Sequence, residues 1–523
     1  MEDPTLLREL ASRIARDTRT DVQTLKRRAA REFGLSAVPR NSDILAAATP
    51  EDYPAARGRL LVKPTRTLSG VAPVAVMTSP APCPHGRCLP CPGGPDHPFG
   101  SPQSYTGEEP AARRAREHDY DPYGQVAARL GHYVLLGHHV DKAELIVMGG
   151  TITARTPEYQ AWFVGRCLAA MNDRGTGAVS DGADPAMEAA RNETASVRCI
   201  AMTFETRPDC CTRTEIDRML DLGVTKVELG AQHLSDEVLA FIRRGHTVAE
   251  TVRANTELRD AGLKVGFHMM PNLPGSPLEL DRAVYRQLFD DPRFRPDFLK
   301  LYPTLVTPGA ELEALYHRGE YEPFDEETLI DLLAEVKAGL PEYVRLQRVQ
   351  RDIPAKLIVA GSVHGNFRQL AAERLRANGG RCRCIRCREI GRCDHVDAPP
   401  VVSTLAYDCC GGEERFIQAT TGDALIGFLR LRLPGAPWRP ELEGAALVRE
   451  LHVYGAQVRI GVGAGGGEWQ HRSFGRELLA EAGRQAAEAG YGTVAIMSGV
   501  GVRPYYRRQG YIRDGPYMLQ RVS

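Results

Sequence analysis

The chain has 523 residues, with 66 Lys+Arg against 66 Asp+Glu, so its formal net charge is zero. At roughly 150 residues per domain this length predicts two to four domains. A hydrophobic content of 43% with 25% charged residues excludes a disordered chain, and the charge balance excludes a uniformly basic nucleic-acid binder, though not a local basic patch. No window approaches the roughly 20 apolar residues of a membrane span. The N-terminus, MEDPTLLRELASRIARD, is charged and lacks the apolar core of a secretory signal. A cytoplasmic protein with no membrane association is expected.

Residues 1–60 are helical and polar in character, with Lys26, Arg27, Arg28 and Arg31 close together. They form either a solvated helix face or an RNA-contacting one. From about 70 to 350, apolar runs at 73–77, 144–148, 198–204, 225–230, 264–270 and 298–302 alternate with helical stretches such as 157–171, 213–222, 247–261, 278–290 and 325–338. A seventh run, 343–349, is less apolar. Alternation of this kind predicts a parallel sheet covered on both faces, in a full or partial β/α barrel, with an open doubly wound sheet as the alternative. Residues 345–392 hold twelve Lys and Arg against three acids, a net +9. A polyanion is the natural partner of such a field, and Arg381, Arg383, Arg386 and Arg388 are expected to touch it. From about 400, strand-like runs at 424–433, 446–454 and 493–498, with a helix at 475–489, predict a separate α+β domain.

Thirteen cysteines are too few for a disulfide scaffold, and two tight groups of them point to metal. The first is CPHGRCLPC, with Cys83, Cys88 and Cys91. Three thiolates hold three corners of a cubane iron–sulfur cluster and leave one iron open. A zinc site with His85, or three unrelated thiols, are the other readings. The group follows the first apolar run, which in a barrel places it at the C-terminal mouth. The second is CRCIRC, where Cys382, Cys384 and Cys387 suit tetrahedral zinc, with Cys393 or His395 as the fourth ligand. Free thiols or a second iron–sulfur cluster remain open there.

The first group, together with Gly149-Gly150 after the second run, resembles the radical S-adenosylmethionine superfamily. Its common spacing is one residue shorter, and Pro90 stands where an aromatic residue is usual. In that superfamily the open iron is chelated by S-adenosylmethionine, whose amino end the glycine pair helps to hold. Residues 470–475, QHRSFG, open a helix whose N-terminus suits a pyrophosphate. With Tyr505-Tyr506 nearby, this region is similar to the acetyl-CoA-binding GNAT acetyltransferases, Ser473 replacing the first glycine of their loop. The two together, with the stretches SYTGEEPAARRA, VDKAELIVMGGT, HMMPNLPGSP, KLYPTLVTPG, VRELHVYG and SGVGVRPYYRRQGY, resemble the catalytic-subunit family of Elongator over about residues 60–520.

The resemblance implies an α/β fold. A helical N-terminal region (1–60) precedes a partial (β/α) barrel of the radical S-adenosylmethionine type (61–360), a basic zinc-binding linker (361–400) and an α+β GNAT domain (401–523). It implies an acyltransferase acting on tRNA. A 5′-deoxyadenosyl radical takes hydrogen from the acetyl-CoA methyl group, the carbon radical adds to C5 of the wobble uridine, and thioester hydrolysis leaves 5-carboxymethyluridine. The implied cofactors are a 4Fe-4S cluster on Cys83, Cys88 and Cys91, S-adenosylmethionine, acetyl-CoA as cosubstrate, and zinc. An unidentified electron donor is implied, and a homodimer is one assembly the reading admits. Residue by residue, Lys142 matches a lysine assigned to acetyl-CoA. Glu450, Leu451, His452 and Val453 match its strand contact. Gln470, Phe474, Gly475 and Arg476 match the pyrophosphate loop, and Tyr506 matches a tyrosine near the thioester, or else packs the sheet. Glu205 and Arg207 either contact S-adenosylmethionine or pair with each other at the barrel mouth. Met269 and Met270 resemble a cofactor-lining pair, against core filling as the commoner use of a barrel-strand Met, and His246, His268 and His452 receive no acid–base role. A lysine acetyltransferase with a structural cluster, and an iron–sulfur RNA-binding protein without turnover, are the competing functions.

Overall fold

The computed structural model describes residues 4–35, 37–61, 70–393, 398–454 and 474–522. Seven parallel strands form the first sheet in sequence order: β1 (Ala72–Met77), β2 (Lys142–Met148), β3 (Arg198–Thr206), β4 (Lys226–Gln232), β5 (Lys264–Met269), β6 (Phe298–Leu301) and β7 (Arg345–Arg348). β1 and β7 are its two edges, so the barrel is partial. The covering helices start where the sequence supplies caps. Asp121, Thr156, Thr212, Thr247 and Asp325 each accept a hydrogen bond from the first turn of the helix that follows, and Pro122 and Pro157 fill first-turn positions whose N–H would lack a partner.

The two faces of the sheet differ in chemistry. Val227, Leu229, Val265, Phe267 and Leu299 are fully buried under the helices. The concave face is ionic. Glu144 on β2 reaches Lys226 on β4 at 2.7 Å, skipping β3, and Glu205 on β3 reaches Lys300 on β6 at 3.2 Å, skipping two strands. Contacts between non-neighbouring strands are possible only across the lumen. Barrel interiors are ordinarily filled by branched apolar side chains; here paired charges fill the lower lumen and leave the upper part open.

The C-terminal sheet has seven strands: β8 (Val401–Cys409), β9 (Gly412–Thr421), β10 (Ala424–Leu433), β11 (Ala445–Val453), β12 (Thr493–Met497), β13 (Ile512–Asp514) and β14 (Tyr517–Arg521), in the order 13-14-12-11-10-9-8. All neighbours are antiparallel except β11 and β12. That parallel pairing ends at Val448–Ile496, so the rest of β11 separates from β12. The helix Phe474–Glu488 packs on this sheet.

The C-terminal sheet expected from about residue 400 packs directly on the barrel. Phe416, Phe428, Leu447, Met497 and Tyr517 belong to the same buried core as the barrel strands. Beneath the N-terminal ends of β5 and β6, Arg259, Arg430, Arg432 and Arg449 meet Asp260, Asp297 and Glu414, and none of the seven side chains is more than 2% exposed. The segment 361–400 packs on the barrel as well. The helix Phe367–Ala377 buries Phe367, Ala371 and Leu375 in the barrel core. The N-terminal helices Pro4–Arg16, Val22–Glu32, Asn41–Ala47 and Tyr53–Leu60 keep a small core of their own around Leu10, Ile14 and Ile44.

Candidate active site

Cys83, Cys88 and Cys91 lie on the loop after β1 and line a cavity of about 790 Å³ at the C-terminal mouth of the barrel. The loop doubles back under tight constraints. Any Cβ on Gly93 would stand 1.8 Å from the Tyr105 carbonyl oxygen, so only glycine fits. Each thiol has polar company. The Gln103 side-chain amide donates to Cys91 Sγ at 3.0 Å, His85 Nε2 lies 3.1 Å from Cys88 Sγ, and Arg244 Nη1 lies 3.7 Å from the same sulfur. Burial pushes the Cys83 thiol up. Burial first, then Arg207 and Arg244, lower His85 to about 4, which keeps the ring neutral at pH 7.

The donor set fits an iron–sulfur cluster better than a single ion. Tetrahedral zinc at about 2.3 Å from each sulfur needs sulfurs about 3.8 Å apart. Among the described residues, the three cysteines whose sulfurs all lie within 4.8 Å of one another are Cys382, Cys384 and Cys387, not the three at the barrel mouth. The surrounding cavity also fits an amino-acid-like cofactor beside the cluster. Gly149 and Gly150, at φ +121° and +96°, turn the end of β2 around it, with Gly150 and Thr151 in the wall. Gln232 sits in the wall at φ +68° with a buried side-chain oxygen that no described group meets.

Glu205 and Arg207 both line the cavity, but they do not pair with each other. Glu205 accepts from Tyr105 at 2.7 Å and from Lys300 at 3.2 Å. Arg207, 2% exposed, pairs with Asp209 at 2.9 Å and donates to the Arg244 and Gly245 carbonyls. Deeper, Lys300 binds Glu228, and His268 meets Glu228 at 3.0 Å. Sequence reasoning missed Gln232, Arg244, Tyr105 and Glu228. Only Gln232 and Arg244 left a local signal, as polar residues just after an apolar run and at a helix end; Glu228 faces the site because of strand register, and Tyr105 because the loop after β1 folds back over the mouth.

Lys142 is elsewhere. It opens β2 at the end remote from the thiols, and its partner in register is Arg198, beside which Gly501 of the C-terminal segment packs. Glu450, Leu451, His452 and Val453 occupy the part of β11 that has left β12. Phe474, Gly475 and Arg476 begin the helix beside it, and a Cβ on Gly475 would lie 3.9 Å from both Leu451 and Val453. The same Cβ would lie 2.9 Å from the Tyr505 hydroxyl, so it is Tyr505 that approaches this helix start. Tyr506 packs in the second core against Tyr505 and Tyr511, and burial raises its hydroxyl. His452 is half-buried, and the loss of solvent around its ring lowers it to about 4. Gln470 and His395 lie outside the described residues.

The basic stretch is largely paired where it lies. Arg383 and Arg388 both bind Glu342, Arg381 binds Asp423 at 3.0 Å, and Arg345 binds Glu389 at 3.2 Å. Glu342 and Asp423, which lie outside the stretch, offset part of the +9, which a sequence window does not show. Cys382, Cys384 and Cys387 converge just beyond β7, and Cys384 is fully buried.

A half-barrel of seven parallel strands with three thiols and a glycine pair at its mouth defines a radical S-adenosylmethionine domain. The sequence model of the Radical SAM superfamily matches residues 83–284, that of the Radical_SAM C-terminal domain residues 296–377, and that of the ELP3 N-terminal domain residues 5–68. A tRNA uridine(34) acetyltransferase of Methanocaldococcus infernus is 45% identical over 491 residues, 92% of this chain and 91% of its own. Elongator complex protein 3 of Homo sapiens is 41% identical over 518 residues, 96% of this chain and 93% of its own. The solved structure of the archaeal Methanocaldococcus infernus Elp3 with an N-terminal deletion superposes with a TM-score of 0.76 at 40% identity, covering 87% of this chain and all of that one. The chain belongs to the Elp3 family. The radical S-adenosylmethionine domain implies a 4Fe-4S cluster and S-adenosylmethionine.

Proposed function

We propose that the protein modifies the wobble uridine of tRNA, with acetyl-CoA as the carbon source and 5-carboxymethyluridine as the product. The observation that carries this reading is the wide cavity over three separated thiols, in a chain whose near-full-length relatives are named as tRNA uridine(34) acetyltransferases. Cys83, Cys88 and Cys91 would hold the cluster. Gly149, Gly150, Glu205, Arg207, Gln232 and Arg244 would surround S-adenosylmethionine. Bound there and reduced by an external one-electron donor, the cofactor supplies a 5′-deoxyadenosyl radical. The chain's own residues orient the reactants and keep water out. The Glu228, Lys300 and His268 cluster closes the floor of the cavity below them.

The split between β11 and β12 supports acetyl-CoA binding of the GNAT kind, with Leu451, Val453, Phe474, Gly475, Arg476 and Tyr505 around it. Lys142 belongs to this end of the molecule and not to the thiol end. Protein lysine acetylation by this sheet alone is the weaker reading, because Glu450, the acid on this strand, is held by Arg430 at 2.8 Å. Anaerobically reduced protein given S-adenosylmethionine, acetyl-CoA and tRNA is expected to yield 5′-deoxyadenosine and a carboxymethylated uridine. Absence of both, with acetylation of a peptide lysine, would replace the reading.

Cys382, Cys384 and Cys387 fit zinc. Their sulfurs lie within 4.8 Å of one another, close to the tetrahedral spacing, and Cys393 or His395 would supply the fourth ligand. Treatment with a strong zinc chelator is expected to release about one zinc per chain and to lower the melting temperature while leaving the iron in place. Loss of iron without zinc would reverse the assignment. A cytoplasmic location and a homodimer remain part of the proposal.

A further inference from the structure

The cavity does not end at the barrel mouth. It continues down the side of the half-barrel along the gap between the two edge strands, where Pro73 and Ala75 of β1 line it on one side and Arg348, Arg351 and Pro354 on the other. β1 explains why this seam is open. Val74 and Val76 are fully buried, while Pro73 and Ala75 alternate with them toward the cavity and bring little bulk. Both banks carry guanidinium groups. On the β1 side, Arg114 caps the Ala75 carbonyl, and its Nε is buried with no partner among the described residues. Next to it Arg129 lies over the Tyr133 ring at 4.2 Å. On the β7 side, Arg351 caps the Ser104 carbonyl and Arg348 stands at the surface against Asp352 at 2.5 Å.

Arg114 and Arg351 reach backbone carbonyls, unlike Arg381, Arg383 and Arg388, which Glu342 and Asp423 hold; Arg348 shares the carboxylate of Asp352. A lateral slot with positive banks suits a single-stranded polyanion. Its phosphates stay in water between the banks while one base turns inward toward the thiols. The volume supports this, since about 790 Å³ lies toward the upper end of the roughly 300–1,000 Å³ of single-ligand sites. Burial, with Arg129 beside it, lowers Arg114 to about 10, and a bound phosphate would relieve that strain.

We propose that the seam between β1 and β7 is the entry slot for the RNA strand that carries the target uridine, with Arg114 and Arg129 on one bank and Arg348 and Arg351 on the other contacting its phosphates. The proposal rests on the tRNA-modification reading and locates the substrate within it. It also separates the two chemistries in space: RNA approaches along the barrel wall, and the acyl carrier from the C-terminal sheet.

The test is fluorescence anisotropy of a labelled anticodon stem-loop RNA with the full-length protein across a potassium chloride series, with no S-adenosylmethionine and no acetyl-CoA. Each phosphate contact to single-stranded RNA contributes about 0.7 to the slope of log affinity against log salt. The double variant Arg114→Gln/Arg351→Gln is expected to lower the slope by about 1.4 and to weaken binding about tenfold or more at low salt, by loss of those contacts. The charge-keeping pair Arg114→Lys/Arg351→Lys is expected to retain most of the slope. Should the glutamine pair fail to fold, Arg348→Gln at the exposed bank reads the same quantity, with an expected loss of about 0.7. An unchanged slope in a variant that melts like the parent overturns the proposal. So does unchanged RNA binding with weakened acetyl-CoA binding, which would give the seam to the phosphates of coenzyme A. If the parent protein binds no RNA, the tRNA-modification reading itself fails.

Discussion

Asp297→Asn is expected to destabilise the barrel and the C-terminal sheet together, by about 3–5 kcal/mol, the usual cost of removing one partner from a buried charge cluster. Asp297 is fully buried just before β6, where it binds Arg449 at 2.7 Å and Arg259 at 3.4 Å and faces Arg430. Its backbone neighbourhood depends on it as well, since the carboxylate accepts the Val265 N–H at 2.8 Å. The amide would leave the buried guanidinium groups of Arg259, Arg430 and Arg449 with Glu414 and Glu450 as their nearest carboxylates. One cooperative thermal transition at lower temperature, followed by probes in both sheets, is the expected record. Two separate transitions, with the barrel unaffected, would show that the sheets are independent.

The pH dependence follows with a definite sign. Burial alone would raise the Asp297 carboxyl, but Arg259, Arg449 and Arg430 overcome this and hold it well below the usual carboxylate range. A depressed folded-state value contributes stability that is fully present above the unfolded carboxylate value of about 3.9. That stability is lost as pH falls from there through the folded value. The gap in melting temperature between parent and Asp297→Asn is therefore expected to stay constant from pH 5 to 8, and to narrow below about pH 3.9.

Cys88→Ala is expected to abolish the chemistry and leave the fold. Cys88 is buried in the cavity wall, on a loop that carries no strand or helix of either sheet, so the cost in stability is small beside that of Asp297→Asn. Two remaining thiolates do not hold a cubane that has an open iron. Anaerobically reconstituted variant is expected to hold little iron, to lack the reduced-cluster paramagnetic signal, and to form no 5′-deoxyadenosine. Its far-ultraviolet circular dichroism and melting temperature should remain near those of the parent. Full iron content with normal cofactor cleavage would remove Cys88 from the ligand set.

The sequence by itself determined the parts whose signal is local. Six apolar runs separated by amphipathic helices define the parallel strands, and all six are strands to within two residues at either end. The spacings of Cys83, Cys88 and Cys91 and of Cys382, Cys384 and Cys387 are covalent facts, so both thiol groups were legible before any folding. Four strands of the C-terminal sheet were not. β8 is an exposed edge whose residues alternate weakly, β9 carries three charged residues directly after its opening Gly412, and β13 and β14 are only three and five residues long. Only the tertiary structure decided that the second sheet is welded to the first, because Arg449 meets Asp297 at a sequence distance of 152 residues, beyond the reach of any periodicity. It also decided where charge is available. A window counts arginines, but a carboxylate on another element, such as Glu342 beside Arg383 and Arg388, cancels them, while the gap between β1 and β7 gathers arginines that no window contains together. Coulomb interactions act through space and are set by packing, so the composition of a segment does not fix its field.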